Sequence, residues 1–234
     1  MNTDPRALRV LCFGDSGTYG TCLRDSTTHS DSEGLPTPDP DYVRLDVDHR
    51  WPGVLQRLLG GGYDVLEEGL NGRTTDLDDA HRPGLNGRGY FVPCLLSHNP
   101  LEVVVVQLGG NDLKPAYVRS PRQVAEALGR YVDDVATYGA NGAGRTPKTV
   151  LVGHIRIDDT APRHREMVGD SYDPGNAERF RELDRQIRAV AAECGASYVD
   201  AASVARPGND GVHFDQPSHT RLAELLASTI RGQG

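Results

Sequence analysis

Four short blocks of the chain carry the residue types that nucleophilic chemistry needs. Ser16 stands in Phe13-Gly14-Asp15-Ser16-Gly17-Thr18-Tyr19-Gly20, and Asp210 and His213 share Asn209-Asp210-Gly211-Val212-His213-Phe214. A serine hydroxyl is a weak nucleophile until a base takes its proton, and histidine is the usual base. The imidazole in turn needs a carboxylate on its other nitrogen to fix the tautomer and steady the imidazolium. An aspartate three residues earlier, across a turn loosened by Gly211, can supply both from one loop. The other two blocks offer donors for a developing oxyanion: Asn111 in Leu108-Gly109-Gly110-Asn111-Asp112, and the backbone N–H of Gly72 in Glu67-Glu68-Gly69-Leu70-Asn71-Gly72-Arg73. A helix opened by Ser16 would add its own free N–H groups and positive dipole end. Each block also has a plainer use. Ser16 can cap a helix, the Gly-Asn block and Gly72 can be ordinary turns, and Asp-x-x-His occurs in surface loops. Together, in this order and each after a predicted strand, the four point to one crevice.

The elements that must hold them can be read from hydrophobic spacing. Short runs of Val, Ile and Leu predict strands at Leu8–Phe13, Tyr63–Leu66, Leu101–Leu108, Thr149–His154 and Ser197–Val199. Between them, Phe180, Leu183, Ile187 and Val190 recur every three or four positions, as do Leu222, Leu225, Leu226 and Ile230. That spacing gathers apolar side chains on one helix face. Strand and helix in alternation require crossover connections and a mainly parallel sheet. The expectation is an α/β domain of three layers with about five strands, the run after Glu102 being a central strand buried on both sides. In such a sheet, ligands sit beyond the C-terminal strand ends, where the four blocks fall. Residues 24–49 break the alternation and read as a long irregular loop, a lid or a binding segment. The Gly-rich stretch 138–145 reads as a connector, so all 234 residues are expected to form one domain.

Composition narrows the function classes. Asp plus Glu number 33 against 25 Lys plus Arg, a formal net charge of −8, which gives no general pull on nucleic acid or anionic membranes. The longest aliphatic run, Val103 to Val106, is far short of the roughly 20 residues of a membrane span. The N-terminus lacks the pattern of a secretory signal. Four scattered cysteines, with no Cys-x-x-Cys pair, read as free thiols in a reducing cytosol. Asp76, Asp78, Asp79 and His81 are taken as a solvated loop, with no metal site. Gly14, Gly17 and Gly20 do not fit a nucleotide-binding loop. Arg119, Arg122 and Arg130 read as decoration of a helix surface, while His154 and Arg156 lie at a strand end.

The blocks Gly14-Asp15-Ser16, Gly72, Gly109-Gly110-Asn111-Asp112 and Asp210-Gly211-Val212-His213 resemble the SGNH (GDSL-type) hydrolase superfamily over nearly the whole chain. Cys12-Phe-Gly-Asp-Ser, Arg50-Trp51, Glu67-Glu-Gly-Leu, Arg73-Thr-Thr with Asp76, Leu85-Asn86-Gly87, Asn111-Asp112-Leu-Lys114 and Asp210-Gly-Val-His-Phe214 are similar to its bacterial arylesterase/acyltransferase branch. The resemblance implies a flavodoxin-like α/β/α fold and hydrolysis or transfer of the acyl group of small-molecule esters, without a cofactor. It implies Ser16 as nucleophile, Asp210 and His213 as its partners, and an oxyanion hole of Ser16, Gly72 and Asn111. Members of that branch can associate, so residues 24–49 could serve as an arm between copies. Three features depart from it: Gly17 where the family name has Leu, which would loosen packing beside Ser16; the length of the 24–49 loop; and Gly153-His154-Ile155-Arg156 in place of a Pro-rich stretch. Gly110 and Val212, neither bulky, are expected to shape an acyl pocket for short chains. Arg156 is expected to meet an anionic group on the substrate. The contrasting reading is a non-catalytic flavodoxin-like module that binds a flavin or phosphate ligand, in which the His213–Asp210 pairing has no task.

Overall fold

In a computed structural model, residues 4–25, 28, 30, 41–172 and 175–232 are described. The expected strands form within a few residues of their forecast ends: β1 (Leu8–Gly14), β4 (Tyr63–Gly69), β5 (Val103–Gln107), β6 (Lys148–Val152) and β7 (Ser197–Val199). All neighbours in this five-stranded sheet are parallel, in the order β4-β1-β5-β6-β7. Between them come α1 (Ser16–Tyr19), α2 (Trp51–Leu59), α3 (Gly87–His98), α4 (Pro121–Tyr138), α5 (His164–Met167), α6 (Asn176–Glu193) and α7 (Gln216–Ile230).

Strand side chains alternate between faces, and two separate cores follow from that alternation. Leu11, Phe13, Val104, Val106 and Leu151 join Phe91 and Leu95 of α3, Leu128 of α4 and Leu183 and Ile187 of α6. Val10, Cys12, Val103, Val105, Val150 and Val152 join Trp51 and Leu55 of α2 and Leu222 and Leu226 of α7. Helices therefore cover both faces, and β5 is buried at every residue, as its run of valines predicts.

The stretch 24–49 is less irregular than expected. Tyr42–Arg44 forms β3, which pairs antiparallel with β2 (Thr21–Leu23) and sets Leu23 against Tyr42. Runs of three residues are too short to carry a period, so neither strand was legible from hydrophobic spacing. Within that stretch residues 26, 27, 29 and 31–40 lie outside the described residues, and with them most of the expected lid. Among the described residues, no helix is long and apolar enough to cross a membrane.

Candidate active site

Ser16 follows β1 directly. The side chain of Asp15 accepts from Gly17 N at 3.0 Å, and the Asp15 backbone N–H reaches across to the carbonyl of Gln107, which ends β5, at 3.2 Å. The helix that Ser16 opens is only four residues long. It therefore contributes local N–H groups rather than the aligned dipole that the sequence reading assumed.

The loop before α7 brings the remaining partners. Gly211 has φ of +76°, and a Cβ there would stand 1.9 Å from the carbonyl oxygen of Asp158, so only glycine fits this turn. The turn lets Asp210 fold back under His213. Asp210 Oδ2 accepts from His213 Nδ1 at 2.6 Å, while Oδ1 accepts the backbone N–H groups of Val212 and His213 at 2.9 and 3.0 Å. A carboxylate can only accept here, so Nδ1 carries the proton and Nε2 presents its lone pair. That lone pair faces the hydroxyl of Ser16, with Nε2 and Oγ 3.1 Å apart. Burial alone would raise the Asp210 carboxyl. The hydrogen bond and charge of His213, with the two backbone donors, outweigh it and hold the group down at about 2. Behind the turn, His164 Nδ1 donates to the Asp210 carbonyl at 2.7 Å.

Asn111 is buried in a short 3₁₀ turn, and its side-chain N–H₂ donates to the carbonyl of Arg73 at 3.1 Å. Arg73 is itself fixed by its guanidinium, which donates to the carbonyls of Gly14 and Glu68 and lies 4.2 Å over the Phe13 ring. The same two loops are bound a second time. Asp112 is fully buried and accepts from Thr75 N at 3.1 and 3.0 Å and from Thr75 Oγ1 at 2.5 Å. Burial pushes the Asp112 carboxyl up to about 6 against those bonds.

A cavity of about 180 Å³ opens over Ser16 and His213. Gly110, Asn111 and Val212 line it. Gly72 does not; it sits one residue before Arg73, which Asn111 grips. Arg156 is a correction. Its side chain is exposed and lines a separate recess of about 200 Å³ beside Asp184 and Asp200, not the cavity. β6 ends at Val152, so the alternation that would have aimed residue 156 stops four positions too early. Between the two recesses stands His154, whose Nε2 bonds the carbonyl of Leu108 at 2.9 Å.

The cation that does line the cavity is Lys114, its ammonium 5.9 Å from the Tyr172 ring and its pKa lowered by burial. Tyr42, Met167, Val168, Tyr172 and Phe180 line it too. Of these only Phe180 carried a sequence signal, as one residue of an apolar helix stripe. Arg119 and Arg130 are a second correction, since both pair with Asp76 and only Arg122 decorates a helix surface, with Glu126. Asp79 is bonded by Arg82 and Tyr117, which leaves that acidic run occupied by protein groups. Among the described residues, one group (Glu68, Cys94 and His98) brings three potential metal-ligand atoms within 4.8 Å of one another. There His98 Nε2 already bonds Glu68 at 3.0 Å.

Residues 12–221 match the model of the GDSL-like lipase/acylhydrolase family. An acetylxylan esterase of Xylanibacter ruminicola is 25% identical over 96% of the chain, which spans 43% of that relative's length. Among solved structures, the native aryl esterase of M. smegmatis superposes with a TM-score of 0.82 at 33% identity, covering 97% of this chain and all of that one. Est24, a carbohydrate acetylesterase from Sinorhizobium meliloti, does so at 0.79 and 32%, with 97% and 100% covered.

Proposed function

Because the chain belongs to the GDSL-like lipase/acylhydrolase family, we propose that it is a serine esterase whose nucleophile is Ser16, whose base is His213 and whose orienting carboxylate is Asp210. The observation that carries this reading is the unbroken line of short contacts, Ser16 Oγ to His213 Nε2 at 3.1 Å and His213 Nδ1 to Asp210 Oδ2 at 2.6 Å. As Oγ attacks the ester carbonyl carbon, Nε2 takes its proton. The tetrahedral intermediate then collapses and expels the alcohol, which leaves with the proton returned from Nε2. Water, deprotonated by the same nitrogen, attacks the acyl-enzyme and releases the acid and free Ser16. The oxyanion would rest on the N–H of Ser16 and on the Asn111 amide, both of which line the cavity, each donor worth about 3 kcal/mol in the transition state. The Gly72 N–H, which the family resemblance adds, stands outside that lining.

The cavity supports small acyl groups. About 180 Å³ is below the roughly 300–1,000 Å³ of sites for drug-sized ligands, and the acetylesterases among the relatives make acetyl the first candidate. Transfer to an alcohol in place of water is the branch's other outcome, and the apolar lining of Met167, Val168 and Phe180 suits it. A flavin or phosphate module would leave the relay between Ser16, His213 and Asp210 without a task.

The reading is tested with p-nitrophenyl esters of increasing chain length, with and without a competing alcohol. Turnover should be greatest on the shortest esters, Ser16→Ala should abolish it without loss of fold, and phenylmethylsulfonyl fluoride should label Ser16 alone. Labelling of Ser203 or Ser218 in its place, or turnover by Ser16→Ala, would refute the assignment.

A further inference from the structure

The Asp210 carboxylate has a second side-chain donor. Its Oδ2, which accepts from His213 Nδ1, also accepts from the Tyr42 hydroxyl at 2.9 Å. The Tyr42 ring meets the His213 imidazole edge to face, with centroids 5.1 Å apart. Tyr42 thus touches both members of the pair, although it lies 168 positions from Asp210 in the chain.

We propose that Tyr42 is a positioning residue that sets the basicity of His213 through Asp210, and with it the pH range of catalysis. The proposal rests on the reading of Ser16 and His213 as nucleophile and base. One carboxylate oxygen shared by two donors gives each less of its charge. A neutral phenol on Oδ2 therefore weakens the hold of Asp210 on a protonated imidazole, and His213 releases its proton more readily.

Tyr42 is built in. It pairs with Leu23, just after the one-turn helix that carries Ser16. Its neighbour Asp41 accepts from the Arg163 guanidinium at 2.6 Å, and the Arg163 backbone N–H donates to the carbonyl of Asn209 at 2.9 Å, beside Asp210. Arg163 thereby ties the strand to the loop of Asp210 beside the contact. Other titratable groups face the pair. Asp15 and His219 act on His213, and Cys22 and Tyr172 lie around Asp210. His164 is bonded to the Asp210 carbonyl, and His154 and Lys114 stand across the cavity. Among the described residues the donors to Oδ2 itself are His213 and Tyr42. Oδ1 keeps its two backbone donors in any Tyr42 variant, so loss of the hydroxyl alters one bond to a carboxylate that stays in place.

The test is the pH profile of kcat/KM on p-nitrophenyl acetate for the full chain, Tyr42→Phe, Tyr42→Leu and Ser16→Ala. Both Tyr42 variants should move the acid limb to higher pH by about half a unit, roughly threefold in rate below the limb. The low-field proton resonance of the His213–Asp210 hydrogen bond should persist to correspondingly higher pH in Tyr42→Phe. A Tyr42→Phe limb that overlies the wild type or moves to lower pH, with Ser16→Ala inactive, overturns the proposal; loss in Tyr42→Leu alone then assigns the residue to ring packing. An active Ser16→Ala would instead refute the nucleophile itself.

Discussion

Gly17 is a residue whose importance lies in what is missing. Looser packing beside Ser16 was the sequence expectation, yet the space is filled. A Cβ on Gly17 would stand 2.9 Å from Gln107 Nε2 and 3.2 Å from Phe214 Cε2. Gln107 cannot simply swing away, because its Oε1 accepts from Thr18 Oγ1 at 2.9 Å and Trp51 Nε1 at 3.2 Å. Gly17→Leu should therefore cost about 1–3 kcal/mol in urea unfolding and lower kcat/KM by disturbing Ser16. Lys114 bears on selectivity. If the cavity takes a charged substrate, its ammonium and not the Arg156 guanidinium is the partner. Lys114→Met should then lower kcat/KM about tenfold on a carboxylate-bearing ester and little on a matched neutral one, whereas Arg156→Ala should treat the two alike. Ser16, Asn111, Asp210 and His213 were legible because each is a polar residue in a glycine-marked turn after a predicted strand. Tyr42 was not, since its contact exists only where a three-residue strand happens to land, and Lys114 stood inside a recognised motif without a role attached.

Two loops, 70–76 and 109–112, reach the site from different strands and are held to each other by the Thr75–Asp112 and Arg73–Asn111 bonds. Arg119 backs this seam through Asp76, and Tyr131 of α4 donates to the Thr75 carbonyl at 2.5 Å. Asp112→Ala would strand the N–H and hydroxyl of Thr75 in a dry interior, at about 1–3 kcal/mol for each group left unpaired. Its neighbour Asn111 would lose its fixed aim, so kcat should fall about tenfold with KM little changed, read on p-nitrophenyl acetate together with urea unfolding. The sheet strands were readable from their aliphatic runs, and α6 and α7 from their apolar period. α3 was not, because Gly-Arg-Gly-Tyr-Phe-Val-Pro-Cys-Leu-Leu-Ser-His has a proline inside it and polar and apolar residues on all sides.

Stability against pH is set by buried groups that pull in opposite directions. His219 is fully buried with Nδ1 accepting from Trp51 N at 3.2 Å, and burial with the nearby His213 charge lowers it to about 3. The unfolded chain thus binds its proton first, and the stability present above about pH 6.5 is lost as pH falls toward 3. Asp112, raised to about 6 by burial, has the opposite sign: the folded chain takes up its proton first and gains stability as pH falls from about 6 to 4. One proton each way gives about 1.4 kcal/mol per pH unit in both cases, so the two nearly cancel between pH 6 and 4. Below about pH 4, Asp210, held at about 2, adds to the loss from His219 and the fall steepens. Asp112→Asn should therefore uncover a Tm that declines from pH 6 to 4, and His219→Asn a Tm that rises over the same interval, both relative to the wild-type curve.

The proposed proton transfer joins an oxygen and a nitrogen whose residues are 197 positions apart. A chain still emerging from the ribosome thus carries Ser16 long before His213 exists, and on the proposed mechanism it cannot attack esters met during synthesis. On that proposal, ester turnover would appear only when the segment before α7 has docked over the end of β1, so a simple colour assay doubles as a clock for that docking.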